Sequence, residues 1–160
     1  MTRSQLIATA ALLLGIGPLA HSQTCAVAIE SNDLMQFNLR EMSIARDCTE
    51  IAVTLKHAGK LEAKVMGHDW VLAKSSDVSG ILSAAMAAGA AHGYLPEGDK
   101  RIIAATRIVG GGESSTVTFS AGALREGESY TFFCTTPGHA TVMRGRFSFG
   151  ESRRVAQAGK

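Results

Sequence analysis

One short segment of the chain carries three side chains that bind soft metal ions. It places a thiol at Cys134, an imidazole at His139 and a thioether at Met143. A thiolate, imidazoles and a weak thioether are the ligands that hold type 1 copper in proteins. Each residue alone is usually an ordinary core or turn residue, because free cysteine and methionine most often fill apolar interiors. Their combined spacing, Cys-x4-His-x3-Met, favours a metal-binding loop instead.

A trigonal site of this kind needs a second imidazole. His57, His68 and His92 are the candidates, since His21 falls in the N-terminal segment described below. His68 is favoured because it begins an apparent strand and follows Gly67, where the missing side chain lets a backbone carbonyl approach a metal. We interpret His57, at the end of an apolar strand face, as a buried histidine bonded to backbone. We interpret His92 as a surface residue.

The N-terminal residues indicate an exported protein. Residues 6–20 form an apolar run after Arg3, and Ala20 and Ser22 supply the small residues that signal peptidases recognise. The run is short for a membrane span, which needs about 20 residues, so a membrane anchor is the disfavoured alternative. We therefore predict a signal peptide at residues 1–22 and no membrane anchor after its cleavage. In an oxidising compartment three cysteines imply one disulfide and one thiol, and a ligand must protect that thiol.

Composition favours one folded domain and excludes a strongly charged surface for nucleic acid. The chain has 160 residues, of which 46% are hydrophobic and 19% charged, and its formal net charge is +2. These values are typical of a chain that forms a core, at a length that suits a single domain. We predict that domain at residues 23–150. Residues 151–160 are basic and without periodicity, so we interpret them as a disordered tail, with a partner-binding tail as the alternative.

The body of the chain is predicted to be mostly strands. Alternating apolar and polar residues occur at residues 50–58, 115–120, 129–134 and 143–149, with glycine-containing turns between them. Residues 75–95 instead place apolar residues at helical spacing, after a possible capping residue at Ser75, Ser76 or Asp77. One helical segment in a strand-rich chain predicts a β-sandwich with a helical flap.

The chain also resembles the azurin family of small blue copper proteins. The resemblance covers about residues 24–150, and the length of the ligand loop separates azurins from plastocyanin-like and pseudoazurin-like proteins. The matching stretches are Cys25, Asn32-Asp33, Met35-Gln36-Phe37-Asn38, Cys48, Val65-Met66-Gly67-His68, Trp70-Val71-Leu72, Tyr94-Leu95, Val117-Thr118-Phe119, Glu126-Gly127-Glu128, Phe132-Phe133-Cys134-Thr135 and Pro137-Gly138-His139.

The resemblance implies a ligand set for one type 1 copper. It assigns His68, Cys134 and His139 as equatorial ligands. Met143 becomes the long axial ligand, and the Gly67 carbonyl lies opposite it. The implied fold is an eight-stranded Greek-key β-sandwich of the cupredoxin type, with one short helical flap. The resemblance further implies a disulfide between Cys25 and Cys48, a pairing that spacing alone does not give.

Three further residues are expected around the ligands by the same resemblance. His57 matches a buried histidine near the copper. Asp69 stands where azurins typically carry asparagine, and Thr135 is expected to donate a hydrogen bond to it. An ionised Asp69 is expected to favour Cu(II) and lower the reduction potential. The alternative is that burial keeps Asp69 protonated, so that it resembles asparagine.

An apolar patch is expected around the exposed edge of the second histidine ligand. Thr136 stands where azurins carry a large apolar residue, which implies a smaller and wetter patch. The expected members are Met35, Leu61, Met66, Thr136, Pro137, Gly138, Ala140 and Val142.

The function implied by the resemblance is that of a periplasmic one-electron carrier. The expected partners are c-type cytochromes and periplasmic oxidoreductases, which a monomer meets transiently, and no substrate is transformed. A copper buffer or delivery protein is the alternative, but six scattered methionines do not form the Met-rich tract that such proteins use. A copper oxidase or nitrite reductase requires a second metal centre with several histidines.

Overall fold

The apolar residues that alternate along the chain form the inner faces of two β-sheets. The computed structural model describes residues 23–150, and the predicted signal peptide and basic tail lie outside these residues. One sheet has the strand order β2-β1-β4-β7 and the other β3-β9-β8-β5-β6. The strands are β1 Thr24–Asn32, β2 Gln36–Phe37, β3 Glu41–Ile44, β4 Glu50–His57, β5 Val71–Lys74, β6 Ile102–Ala105, β7 Ser114–Ser120, β8 Tyr130–Phe133 and β9 Arg144–Phe149.

Strand β4 shows how the sequence pattern sets the core. Its burial alternates along the strand, with Ile51, Val53 and Leu55 buried and their neighbours facing outward. The opposite sheet contributes Trp70 and Phe132, whose stacked rings have centroids 6.3 Å apart. The core between the sheets confirms the predicted β-sandwich, and Trp70 belongs to this core as its apolar ring favours.

Residues 23–150 contain nine strand segments rather than the eight expected. The additional segment is β2, which has two residues and pairs with the end of β1 through Ser31 and Phe37. A tight turn joins them, and Met35 in this turn has a φ of 54°. A two-residue strand is too short to show the alternation by which strands are predicted.

The predicted helical flap is confirmed, and it covers one face of strand β8. Helix α2 spans Val78–Ala88 and is followed by a 3₁₀ turn at Ala90–His92. Val78 and Ile81 pack against Phe133, so all four residues of β8 are buried. Asp77 precedes the helix, but its side chain makes no capping hydrogen bond.

A second helix, α1, was not predicted and lies directly before the favoured histidine. It spans only Ala63–Met66, which is too short for a helical periodicity in the sequence. Within residues 23–150 no helix combines the length and apolar character needed to cross a membrane.

The disulfide expected from the family resemblance is present. Cys25 on β1 is bonded to Cys48, two residues before β4, and their Cα atoms are 5.7 Å apart. Strands β1 and β4 run parallel, so their first residues lie side by side. Cys134 is free and buried.

The disulfide makes a first prediction about thiol count and stability. Thiol titration of denatured, metal-free residues 23–160 should find one thiol, because only Cys134 is unpaired. Replacing Cys25 and Cys48 together by alanine should lower the free energy of unfolding in urea by about 3 kcal/mol, since the unfolded chain regains freedom. Three thiols in the wild-type protein would contradict the pairing.

Candidate metal centre

The favoured histidine lies in a short segment that the backbone holds in place. His68 stands between α1 and β5, and its N–H donates to the Val109 carbonyl at 3.0 Å. The N–H of Val109 donates back to the His68 carbonyl at 2.8 Å. This two-way bridge pairs the main chain of His68 with that of Val109, as in an antiparallel sheet.

The other candidate ligands lie on the loop between β8 and β9. Because these strands pair, Cys134 after β8 and Met143 before β9 are neighbours, and the Cys134 N–H donates to the Met143 carbonyl at 3.1 Å. Inside the loop the Met143 N–H donates to the His139 carbonyl at 2.7 Å. Gly138 makes the turn with a φ of 81°, a left-handed conformation that glycine adopts without strain. The loop therefore has an internal hydrogen-bonded frame.

These two segments bring three donor atoms together. The ligand atoms of His68, Cys134 and His139 all lie within 4.8 Å of one another, and all three residues are buried. The two Nδ1 atoms are 3.2 Å apart, and the Cys134 Sγ lies 3.7 Å from Nδ1 of His139. Donors that share one ion at bond lengths of 2.0–2.3 Å in a trigonal plane are about 3.5–4 Å apart. The donor set therefore fits a single soft metal ion.

The orientation of the His68 ring favours metal binding through Nδ1. Its other nitrogen, Nε2, lies 2.9 Å from the Asn32 carbonyl. Because a carbonyl oxygen only accepts hydrogen bonds, Nε2 must carry the proton and donate it. A ring that donates from Nε2 keeps the Nδ1 lone pair free, and hydrogen bonds of this kind orient the histidines that bind metals in proteins. Sequence reasoning missed Asn32, because a backbone carbonyl leaves no mark in the residue type.

The ring of His57 packs against the ring of His68. The His57 ring is fully buried and stacks on that of His68, with centroids 4.8 Å apart and an angle of 20° between the planes. The N–H of Gly59 donates to Nδ1 of His57 at 2.9 Å, so Nε2 carries the proton that faces the Met66 carbonyl at 2.9 Å. The backbone-bonded role expected for His57 is confirmed. His92 is exposed, as predicted.

Two side chains tie the first ligand segment to the ligand loop. The buried carboxylate of Asp69 accepts hydrogen bonds from the Thr135 N–H, at 2.7 Å, and from the Thr135 hydroxyl. Asp69 is thus the acceptor of both bonds, and burial raises the pKa of its carboxyl. The second tie runs from the Thr136 hydroxyl, which donates to the Gly67 carbonyl at 2.9 Å.

Burial keeps the donor atoms neutral in the metal-free protein. Desolvation lowers the pKa of His68 to about 4, and repulsion from His139 and His57 adds to this effect. Desolvation likewise lowers the pKa of His139 and raises that of the Cys134 thiol far above its usual value. A metal ion therefore meets two neutral imidazoles, and its binding must displace the proton of Cys134.

The expected apolar patch is partly exposed. Met35, Leu61 and Val142 are between 38% and 44% exposed. Pro137 and Gly138 are exposed as well, Met66 and Thr136 are half-buried, and Ala140 is buried and contributes packing. Three further exposed apolar side chains were not predicted: Leu34, Val65 and Met86. Met86 and Leu82 of α2 line a cavity of about 150 Å³ with residues 135–138, 140 and 141.

Comparison with known proteins places this fold and site among copper proteins. The family described as "Copper binding proteins, plastocyanin/azurin family" matches residues 23–149. An azurin of Achromobacter denitrificans is 45% identical, over 86% of this chain and 93% of its own length. An azurin of Pseudomonas chlororaphis is 49% identical, over 76% and 94%. A solved structure of an azurin, Az-iso2 of Methylomonas sp. strain J, is similar with a TM-score of 0.76 and 42% identity, covering 79% of this chain and 98% of that one.

The lowered pKa of His68 predicts how the metal-free protein responds to acid. Between pH 6.5 and about 4 the unfolded chain binds a proton on this ring and the folded chain does not. The free energy of unfolding should therefore fall as the pH falls through this range. Urea unfolding of His68→Gln should show a weaker pH dependence than wild type, and His92→Gln, at an exposed position, should match wild type. Equal slopes for His68→Gln and wild type would contradict the burial effect.

Proposed function

Because the chain belongs to the plastocyanin/azurin family of copper-binding proteins, we propose that it is an exported one-electron carrier. The observation that supports this most directly is the buried cluster of two imidazole nitrogens and one thiol sulfur from His68, His139 and Cys134. Copper, when bound, supplies the one-electron couple between Cu(I) and Cu(II). The buried methionine at the loop end, Met143, and the Gly67 carbonyl would complete the set of residues that holds the copper.

The surrounding residues suit electron transfer because they keep the donor atoms in one arrangement. His68 is bridged to Val109, and Cys134 to Met143. Asp69 joins the two segments through Thr135. A copper ion can change oxidation state at little cost in energy if its ligands keep their positions. Preorganised groups avoid reorganisation at the moment of reaction.

We assign electron entry and exit to His139. His139 is 7% exposed, whereas His68, Cys134 and Met143 are fully buried. Exposed apolar and glycine residues at Pro137, Gly138 and Val142 lie on the same loop. We propose that c-type cytochromes and periplasmic oxidoreductases dock on this apolar surface and leave it quickly.

The alternatives are less well supported by the site. A copper buffer or delivery protein needs exchangeable copper, whereas the donors here are buried and joined by a hydrogen-bonded frame. A copper oxidase or nitrite reductase needs a second centre. Of the remaining histidines in residues 23–150, His57 is bonded to backbone and His92 is exposed and apart from the cluster. Slow copper exchange, and no turnover with nitrite or oxygen, would support the carrier.

The ligand assignment predicts distinct effects for two substitutions. Cys134→Ser should abolish the intense visible absorption of the copper-loaded protein, because a thiolate-to-copper transition needs the soft sulfur. Met143→Ala should keep that absorption and bind copper, but its reduction potential should shift, because an axial thioether is a weak and distant ligand. Absorption spectra and voltammetry measure both. An intense band that survives in Cys134→Ser would refute the ligand set and with it the proposed function.

The proposed docking surface predicts a weak dependence on salt. The formal net charge of +2 is small, and apolar contacts give little electrostatic steering. The rate of electron exchange with a c-type cytochrome should change by less than about threefold between ~0.01 and ~0.15 M ionic strength. Stopped-flow kinetics test this, with a chain that ends at Gly150 as control. A steep dependence that disappears in the shortened chain would assign docking to the basic tail instead.

A further inference from the structure

The Thr136 hydroxyl makes a hydrogen bond to a carbonyl that is itself a proposed copper donor. It donates to the Gly67 carbonyl at 2.9 Å. Thr136 follows Cys134 by two residues, and Gly67 directly precedes His68, so this bond joins the neighbours of two donors in the cluster. Threonine is also the residue by which this chain departs from the large apolar side chain of the resembling family.

The Gly67 carbonyl is held rigidly where it meets this hydroxyl. A Cβ atom at Gly67 would lie 2.3 Å from the Ala63 carbonyl oxygen and 2.6 Å from a methyl group of Ile108. The main chain therefore packs too closely for any side chain, and the bridge from His68 to Val109 fixes it on the other side. A rigid carbonyl cannot turn away to compensate when a hydrogen-bond donor is added or removed.

A carbonyl oxygen has two lone pairs, and Thr136 occupies one of them. The hydrogen bond draws electron density from the oxygen and so weakens its attraction for a cation on the other lone pair. An oxygen donor is hard and stabilises Cu(II) more than the softer Cu(I). A weakened carbonyl therefore stabilises Cu(II) less, and the equilibrium shifts towards Cu(I).

We propose that the Thr136 hydroxyl raises the reduction potential of the bound copper by weakening the Gly67 carbonyl as a donor to it. This inference rests on the proposed function, because it takes the cluster of His68, Cys134 and His139 as the copper site and the Gly67 carbonyl as a further donor to it. Thr136 is a positioning and tuning residue, since it acts through Gly67. The two segments stay joined without it, because Thr135 and Asp69 form a separate tie.

The test compares copper-loaded residues 23–160 with Thr136→Val, which keeps the shape and removes the hydroxyl. Voltammetry should show a lower potential, equivalent to a change of up to about tenfold in the ratio of Cu(II) to Cu(I) affinity, or about 59 mV. Thr136→Ser should restore the wild-type value. Thr141→Val is the matched control, because the Thr141 hydroxyl donates to the Gly138 carbonyl of the same loop at 2.8 Å. It should leave the potential unchanged.

A second measurement needs no redox chemistry. Zn²⁺ is harder than Cu(I) and so gains more from an oxygen donor. Because the Gly67 carbonyl is a stronger donor without the Thr136 hydroxyl, the metal-free Thr136→Val protein should bind Zn²⁺ severalfold more tightly than wild type. Thr136→Ser should be close to wild type. If Thr136→Val does not fold, the pair Thr136→Ser and Thr136→Ala makes the same comparison of potentials.

The outcomes separate this inference from the function on which it rests. A wild-type protein without intense visible absorption would overturn both. A blue wild-type protein whose potential and Zn²⁺ affinity equal those of Thr136→Val would overturn the inference alone. Equal shifts in Thr136→Val and Thr141→Val would also overturn it, because the cause would then be a general change of the loop.

Discussion

Close approach of three buried, uncharged donor atoms is the constraint on which the rest of this structure depends. Two imidazole rings whose nitrogens lie 3.2 Å apart repel each other if both are protonated, and a buried thiol resists ionisation. Burying these polar atoms removes their contact with water, which costs free energy that their mutual contacts must offset. The main chain must hold them, through the bridge of His68 to Val109 and the closure of the loop between Cys134 and Met143.

The β-sandwich supplies that main chain. Strand β8 pairs with both β5 and β9, so the segment before β5 and the loop after β8 emerge beside each other at one end of the sheet. Helix α2 covers the outer face of β8 through Val78 and Ile81, which buries the strand on both sides. A strand buried on both faces is a rigid support, because neither side can move into solvent. The fold therefore makes β8, the strand that leads to Cys134, a rigid part of the structure.

Side-chain chemistry and strand alternation could be predicted from the sequence, but backbone contacts could not. The donor types at Cys134 and His139 and their spacing pointed to soft metal binding, and the alternation in β4 gave its buried face. The Asn32 carbonyl that orients His68 has no residue signature. The burial of Phe133 required knowledge that α2 folds over β8. The bond from Thr136 to Gly67 joins residues 69 positions apart, and only the folded chain shows it.

We expect the protein to hold its donor atoms in place before the metal arrives. Crystal structures of residues 23–160, metal-free and copper-loaded, test this claim most directly. We predict that Nδ1 of His68, Sγ of Cys134 and Nδ1 of His139 shift by no more than about 0.5 Å between the two, as expected for a preorganised site. Rings of His68 or His139 that turn away in the metal-free crystal, or copper bound by other residues, would contradict it.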